Sequence, residues 1–170
     1  IISFFFRLLS DPLPERSDLI YLFGQTQHNQ NSVLHKGVSL FERGVAGRLG
    51  ILELGTGYGY PGNLAWEKDL KMMGLPKLPL LIPSPPSGAN PNTLTEAQSL
   101  VSYSKKERFE KIVIIAQPLH TLRSFLCTLT ARKEIYRDLG IYVQVGEPLP
   151  WDEKVVHSQG IVKGSRIDLI

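Results

Sequence analysis

The chain has 170 residues, of which 42% are hydrophobic and 21% charged, so it is long enough to bury a core of its own and is not disordered throughout. A net charge of +3, with no basic block longer than Lys105-Lys106, leaves no electrostatic footprint for nucleic acid. The single cysteine, Cys127, excludes an intrachain disulfide and a multi-cysteine zinc site and leans towards a reducing, cytoplasmic compartment.

The sequence opens on an apolar segment, Ile1 to Leu9, that stops at Asp11-Pro12, well short of the ~20 residues of a membrane span. It reads as a short helix packing on the domain; the alternative is the stub of a signal or anchor. Membrane contact is expected only through residues 1–9. Asp18 to Phe23 is a short apolar run ended by Gly24, a buried strand. Val33, Leu34, Gly37, Val38 and Phe41 then recur at helical spacing, with Gly44 as the stop. Leu49 to Leu54 is a second strand, running into Gly55-Thr56-Gly57-Tyr58-Gly59, and a helix from about Asn63 to Met73 ends at Gly74 and Pro76.

Residues 76–91 hold six of the twelve prolines, which forbids a helix and leaves room only for a short strand near Leu80 to Ile82. Thr93 to Lys106 is a helix, opened by the capping-box pattern Thr93-Leu94-Thr95-Glu96. Lys111 to Ala116 is the clearest central strand. Pro118 opens the next helix, with Leu119, Leu122, Leu126 and Leu129 as its expected buried stripe. Ile141 to Val145 is a fifth strand, and beyond Pro148 a tail or short terminal helix is expected. The order β-α-β-α-β-α-β-α-β, with strands that are continuous apolar runs, predicts a mostly parallel five-stranded sheet in a Rossmann-like three-layer α/β sandwich over 18–146. Residues 1–17 form an apolar lead-in and 147–170 an appendage.

Ligands of such sheets bind beyond the carboxyl ends of the strands. The polar and glycine-rich segments all fall there: Gly24 after the first strand, Gly55 to Gly59 after the second, Asn92-Thr93 after the third, and Gln117-Pro118-Leu119-His120 after the fourth. Glycines let backbone N–H groups approach a ligand closely. His120 and Arg123 lie three apart at a helix start, where an arginine is unfavourable unless an anion is bound. His120 is the candidate acid–base residue. No histidine or cysteine pattern has metal-ligand spacing, and Cys127, in mid-helix with no base beside it, reads as a structural thiol.

The stretch Ile51 to Gly59 resembles the glycine motif of class I methyltransferases. It differs in following the second strand, and no acidic residue ends the next strand, which runs into Pro83-Ser84. A longer resemblance spans residues 18–146. Asp18-Leu19-Ile20 with Gly24, Leu54-Gly55, Glu67, Asn92-Thr93-Leu94-Thr95-Glu96-Ala97 and Gln117 to Arg123 with its His-x-x-Arg together resemble the YdcF-like family, a group catalogued as a domain of unknown function. The chain departs from that pattern at Ser32-Val33-Leu34-His35, where the family has an arginine, and at Thr95-Glu96, where it has Glu-Asn.

The resemblance implies a polar rim pocket and a small anionic or nucleoside-bearing ligand, with S-adenosylmethionine as the named cofactor and no established reaction. The expected ligand-binding set is Gly24, Gly55, Thr56, Gly57, Gly59, Asn92, Thr93, Glu96, Gln117, His120 and Arg123. The alternatives are a methyltransferase, a phosphate-ester hydrolase using His120, and a non-catalytic module associated with the cell envelope.

Overall fold

The structure, a computed structural model, describes residues 9–57, 59–84, 92–150, 152–156 and 162–165. Five strands, β1 (Leu19–Leu22), β2 (Leu49–Glu53), β3 (Leu80–Pro83), β4 (Lys111–Ala116) and β5 (Gly140–Val145), form one sheet in the order β3-β2-β1-β4-β5. Every pairing is parallel. Four helices connect them: α1 (Gln30–Glu42), α2 (Asn63–Met72), α3 (Thr93–Lys106) and α4 (Thr121–Ile135), the last preceded by a 3-10 turn over Pro118–His120. The alternation of strand and helix read from the sequence is the alternation of the fold.

Alternation along β1 splits the interior into two cores. Ile20 and Leu22 face Val33, Leu34 and Val38 of α1 and Trp66 and Leu70 of α2. Leu19, Tyr21 and the following Phe23 face Ala97, Leu100 and Val101 of α3 and Ala131 of α4. β1 and β4 are buried on both faces, which is why they read as unbroken apolar runs. The register at the lower edge is pinned by Asp18, whose Oδ2 accepts from Glu110 N at 2.8 Å and Lys111 N at 2.9 Å. α1 comes so close to β1 that a Cβ on Gly37 would stand 2.6 Å from Leu22 Cδ2.

Three expectations change. The buried face of α4 is Thr121, Ser124, Thr128 and Ala131, while Leu122 and Leu126 are each 53% exposed. Small side chains let α4 lie close against α3, so the leucines are turned away from the sheet. The cap of α3 is Asn92, not Thr93: Asn92 Oδ1 accepts from Leu94 N and Thr95 N, and Thr95 Oγ1 accepts from Asn92 N. This shift by one residue frees Glu96 from capping. Beyond residue 150 the described residues hold two antiparallel strands, β6 (Lys154–Val156) and β7 (Val162–Ser165), rather than a helix. The apolar stretch 1–8 lies outside the described residues, as does most of the proline-rich loop, 85–91. Among the described residues no helix is long and apolar enough to cross a membrane.

Candidate functional site

The strand order reverses between β1 and β4: β1 continues to β2 on one side, while β4 leads to β5 on the other. This is the topological switch point of the sheet, the place where ligands of such folds bind. β1 delivers Phe23, Gly24 and Gln25 to this rim, and β4 delivers Gln117 and the turn bearing His120. The crossover from β3 brings the start of α3, with Thr93 and Glu96, over the same edge.

Glu96 lies one turn into α3 and is only 7% exposed. Its Oε1 accepts from the Tyr21 hydroxyl at 2.8 Å and from Gly24 N at 2.8 Å. Burial raises its carboxyl to about 7, against the opposing pull of the Gly24 and Tyr21 hydrogen bonds. The same contact pushes the Tyr21 hydroxyl well up, through burial first and then the Glu96 charge. A carboxyl half-ionised near neutral pH can release or take up a proton there. Gly24 covers it lightly: a Cβ at that position would sit 3.5 Å from Oε2, in ordinary contact.

His120 ties three rim segments together. Gln25 Nε2 stands 3.2 Å from its Nδ1 and 3.4 Å from Phe23 O. The carbonyl can only accept, so the amide nitrogen is a donor and Nδ1 the acceptor. The imidazole proton therefore sits on Nε2 and is donated to Thr93 Oγ1 at 3.0 Å. Burial, and then the positive charge of Arg123, lowers His120 to about 4. With both nitrogens engaged and the ring held neutral, His120 is placed to position its neighbours. Of the two titratable groups, Glu96 is the better placed to carry a proton at neutral pH.

The remaining expected residues divide by where the fold puts them. Gly24, Thr93, Glu96 and His120 come together in two hydrogen-bonded sets, with Tyr21 and Gly24 on Glu96 and with Gln25 and Thr93 on His120. Gln117 uses its Oε1 on Leu119 N at 3.0 Å, and Asn92 caps α3, so these two satisfy helix-start amides rather than leaving them for an anion. Gly55, Thr56, Gly57 and Gly59 lie over the end of β2. Their loop closes on itself through Gly57 N to Tyr60 O at 3.0 Å and Thr56 Oγ1 to Pro61 O at 3.0 Å. It joins the β1 segment through Gln27 N to Gly59 O at 3.0 Å. A Cβ on Gly55 or Gly57 would meet nothing, so that side of the loop is open. Arg123 is exposed on α4 and reaches His120 by charge alone. Glu67 accepts from Asn63 Nδ2 at 3.0 Å on its own helix. Cys127 is half-buried among apolar neighbours, and burial pushes its thiol up, as for a structural cysteine.

Tyr21 and Gln25 are the residues that sequence reading missed. A signal existed for the first: a tyrosine in a strand otherwise made of Leu, Ile and Phe needs a partner for its hydroxyl. Gln25 stands immediately beyond Gly24 on the favoured rim, but nothing in its neighbours distinguishes it from the polar run that follows. Among the described residues no group of three or more His, Cys, Asp or Glu is gathered closely enough to hold a metal ion. The chain matches no protein-family profile, no curated protein and no solved structure.

Proposed function

We propose that the chain is a small-ligand-binding α/β domain whose site is the rim crevice between β1 and β4, and that its ligand is nucleoside-bearing, with S-adenosylmethionine as the named candidate. The observation that carries this reading is the hydrogen-bonded bridge that His120 makes between Gln25 and Thr93, beside Glu96 on Gly24. Those groups suit a neutral, hydroxyl-rich moiety. Glu96 is an acceptor, and Thr93, with His120 donating to it, keeps its own hydroxyl proton to donate. The open side of the Gly55–Gly57 loop leaves backbone accessible to a bound ring. A fully anionic ligand is less well served, because Asn92 already takes the Leu94 and Thr95 amides at the start of α3, and Gln117 takes the Leu119 amide of the 3-10 turn. Arg123, whose charge reaches His120, is then the cation offered to a carboxylate or phosphate at the edge of the crevice. The resemblance of Asn92–Ala97 and Gln117–Arg123 to the YdcF-like family agrees with this assignment.

A second reading, an enzyme, is favoured by one feature, the buried carboxyl of Glu96 poised near neutrality. In that reading Glu96 moves the proton and His120 holds Thr93 in place. Mass spectrometry of small molecules released from the purified protein, followed by calorimetric titration with S-adenosylmethionine and adenosine, tests the first reading. Saturable binding lost in Thr93→Ala and weakened in Arg123→Ala is expected. Failure of the wild-type protein to bind any adenosine-bearing compound would sink it. Transfer of a labelled methyl group, abolished in Glu96→Gln with binding retained, would establish the enzyme.

A further inference from the structure

A second cleft lies away from the rim, between α4 and the outer edge of β5. It has a volume of about 490 Å³ and is lined by Asp11, Pro12, Phe125, Leu129, Arg132 and the β5 residues Gly140, Ile141 and Tyr142. That volume is within the range of small-molecule sites. Its walls are aromatic and aliphatic, and one cation stands among them. The Nε of Arg132 is buried and has no hydrogen-bond partner, and among the described residues Arg132 makes no ion pair. A buried guanidinium N–H is normally satisfied, so this one points to an acceptor supplied from outside.

The strand edge inside the cleft is open as well. β5 is the last strand of its sheet, and the segment before β1 covers only part of it. Asp11 N donates to Val143 O at 2.9 Å, Val143 N donates to Asp11 Oδ2 at 2.9 Å, and Val145 N donates to Ser10 Oγ at 3.1 Å. The next residue towards Ile141 is Pro12, which has no N–H and cannot continue the pairing. Backbone groups alternate sides along a strand, so Ile141 presents its N–H and C=O outward, as Val143 does. Among the described residues nothing bonds to them.

From these features we infer that the α4–β5 cleft binds an apolar or aromatic carboxylate that carries a neighbouring amide, the chemistry of an N-acylated apolar amino acid. The carboxylate would bond to the Arg132 guanidinium, the side chain would lie among Phe125, Leu129 and Ile141, which share the α4 face of the sheet, and the amide would pair with the Ile141 edge. A planar carboxylate fits the guanidinium fork. A dianion such as a phosphate monoester is disfavoured by Asp11 in the same lining. The chemistry is shared by a free N-acyl amino acid and by the carboxyl terminus of a peptide.

The test is an NMR titration of the full chain with N-acetylphenylalanine, its primary amide, and Gly-Gly-Gly-Phe. The acid is expected to shift the amides of Leu129, Ile141 and Tyr142 saturably, and to bind at least tenfold more tightly than the amide. In Arg132→Lys, which keeps a charge and loses the fork, that preference should fall several-fold. Tighter binding of the tetrapeptide than of the single residue would identify a chain terminus as the source, and equal binding a small acid. Equal affinity for acid and amide, or shifts confined to other surfaces, would overturn the inference without touching the rim site. So would a wild-type dimer dissolved by Leu129→Glu, since the cleft would then be an interface between copies. The comparison of acid with amide uses the wild-type protein and does not depend on any variant folding.

Discussion

The Tyr21 hydroxyl meets Glu96 Oε1 at 2.8 Å across 75 residues of sequence, joining the central strand to the helix that crosses over it. Because β1 is buried on both faces, its one phenolic oxygen has no water to turn to, and Glu96 is held by the only group in the strand that can donate from a side chain. This contact fixes the depth at which α3 sits on the sheet and the position of a carboxyl beneath the rim.

Two titrations follow from the site and act in opposite directions. Glu96 rises from an ordinary 4.5 to about 7, so between those values the folded state holds more protons than the unfolded state. Its contribution is full below pH 4.5 and is lost as pH rises through 7. His120 falls from 6.5 to about 4, so its contribution is full above pH 6.5 and is lost as pH falls through 4. Each is on the order of 3 kcal/mol by the size of its shift. Denaturant unfolding from pH 4 to pH 8 should show Glu96→Gln gaining stability relative to wild type as pH rises. His120→Gln should lose relative stability over the same interval. Parallel curves for the three proteins would show that neither group is perturbed.

Gly24→Ala separates folding from binding. Its Cβ meets Glu96 only at 3.5 Å, so the chain should fold with a stability change within about 0.5 kcal/mol. The added methyl group covers the carboxyl, and binding of any rim ligand should weaken at least tenfold. Thermal unfolding and calorimetric titration of the same preparation read both quantities.

Gly146 and Gly55 should respond in opposite ways to the same change. A Cβ on Gly146 would lie 2.9 Å from Ser32 O, where Glu147 N also donates to that carbonyl at 2.8 Å. Gly146→Ala should therefore cost about 2–3 kcal/mol by forcing β5 and α1 apart. Gly55→Ala meets nothing and should leave stability within about 0.5 kcal/mol, while reducing affinity if the loop's open side faces the ligand. Urea unfolding distinguishes the two.

On α4, Leu126→Gln should alter stability by less than about 1 kcal/mol, since the side chain is 53% exposed. Thr128→Leu should cost about 1–3 kcal/mol, because Thr128 is fully buried against its neighbours. The reverse ranking would restore the leucines to the core.

The sequence by itself determined the alternation of strands and helices in the parallel sheet. Apolar runs such as Lys111–Ala116 and helical spacing such as Val33, Leu34, Gly37 and Val38 are local patterns. Turn residues such as Gly44 and Gly74 act on their own backbone, so the strands of the parallel sheet and the helices between them were legible, and with them the rim carrying Gly24, Thr93, Glu96 and His120, whereas β6 and β7 were not. Only the tertiary structure decided what those residues do there. Glu96 and Thr95 stand one position apart, and which of them caps α3 depends on Asn92 and on the Tyr21 hydroxyl waiting in a strand 75 residues earlier. The leucines of α4 face outward because close packing against α3 admits only small side chains, a fact about the neighbouring helix that no periodicity within α4 records. Hydrophobic pattern is written along the chain, whereas the state of a buried carboxyl or imidazole is set by groups that meet it only after folding.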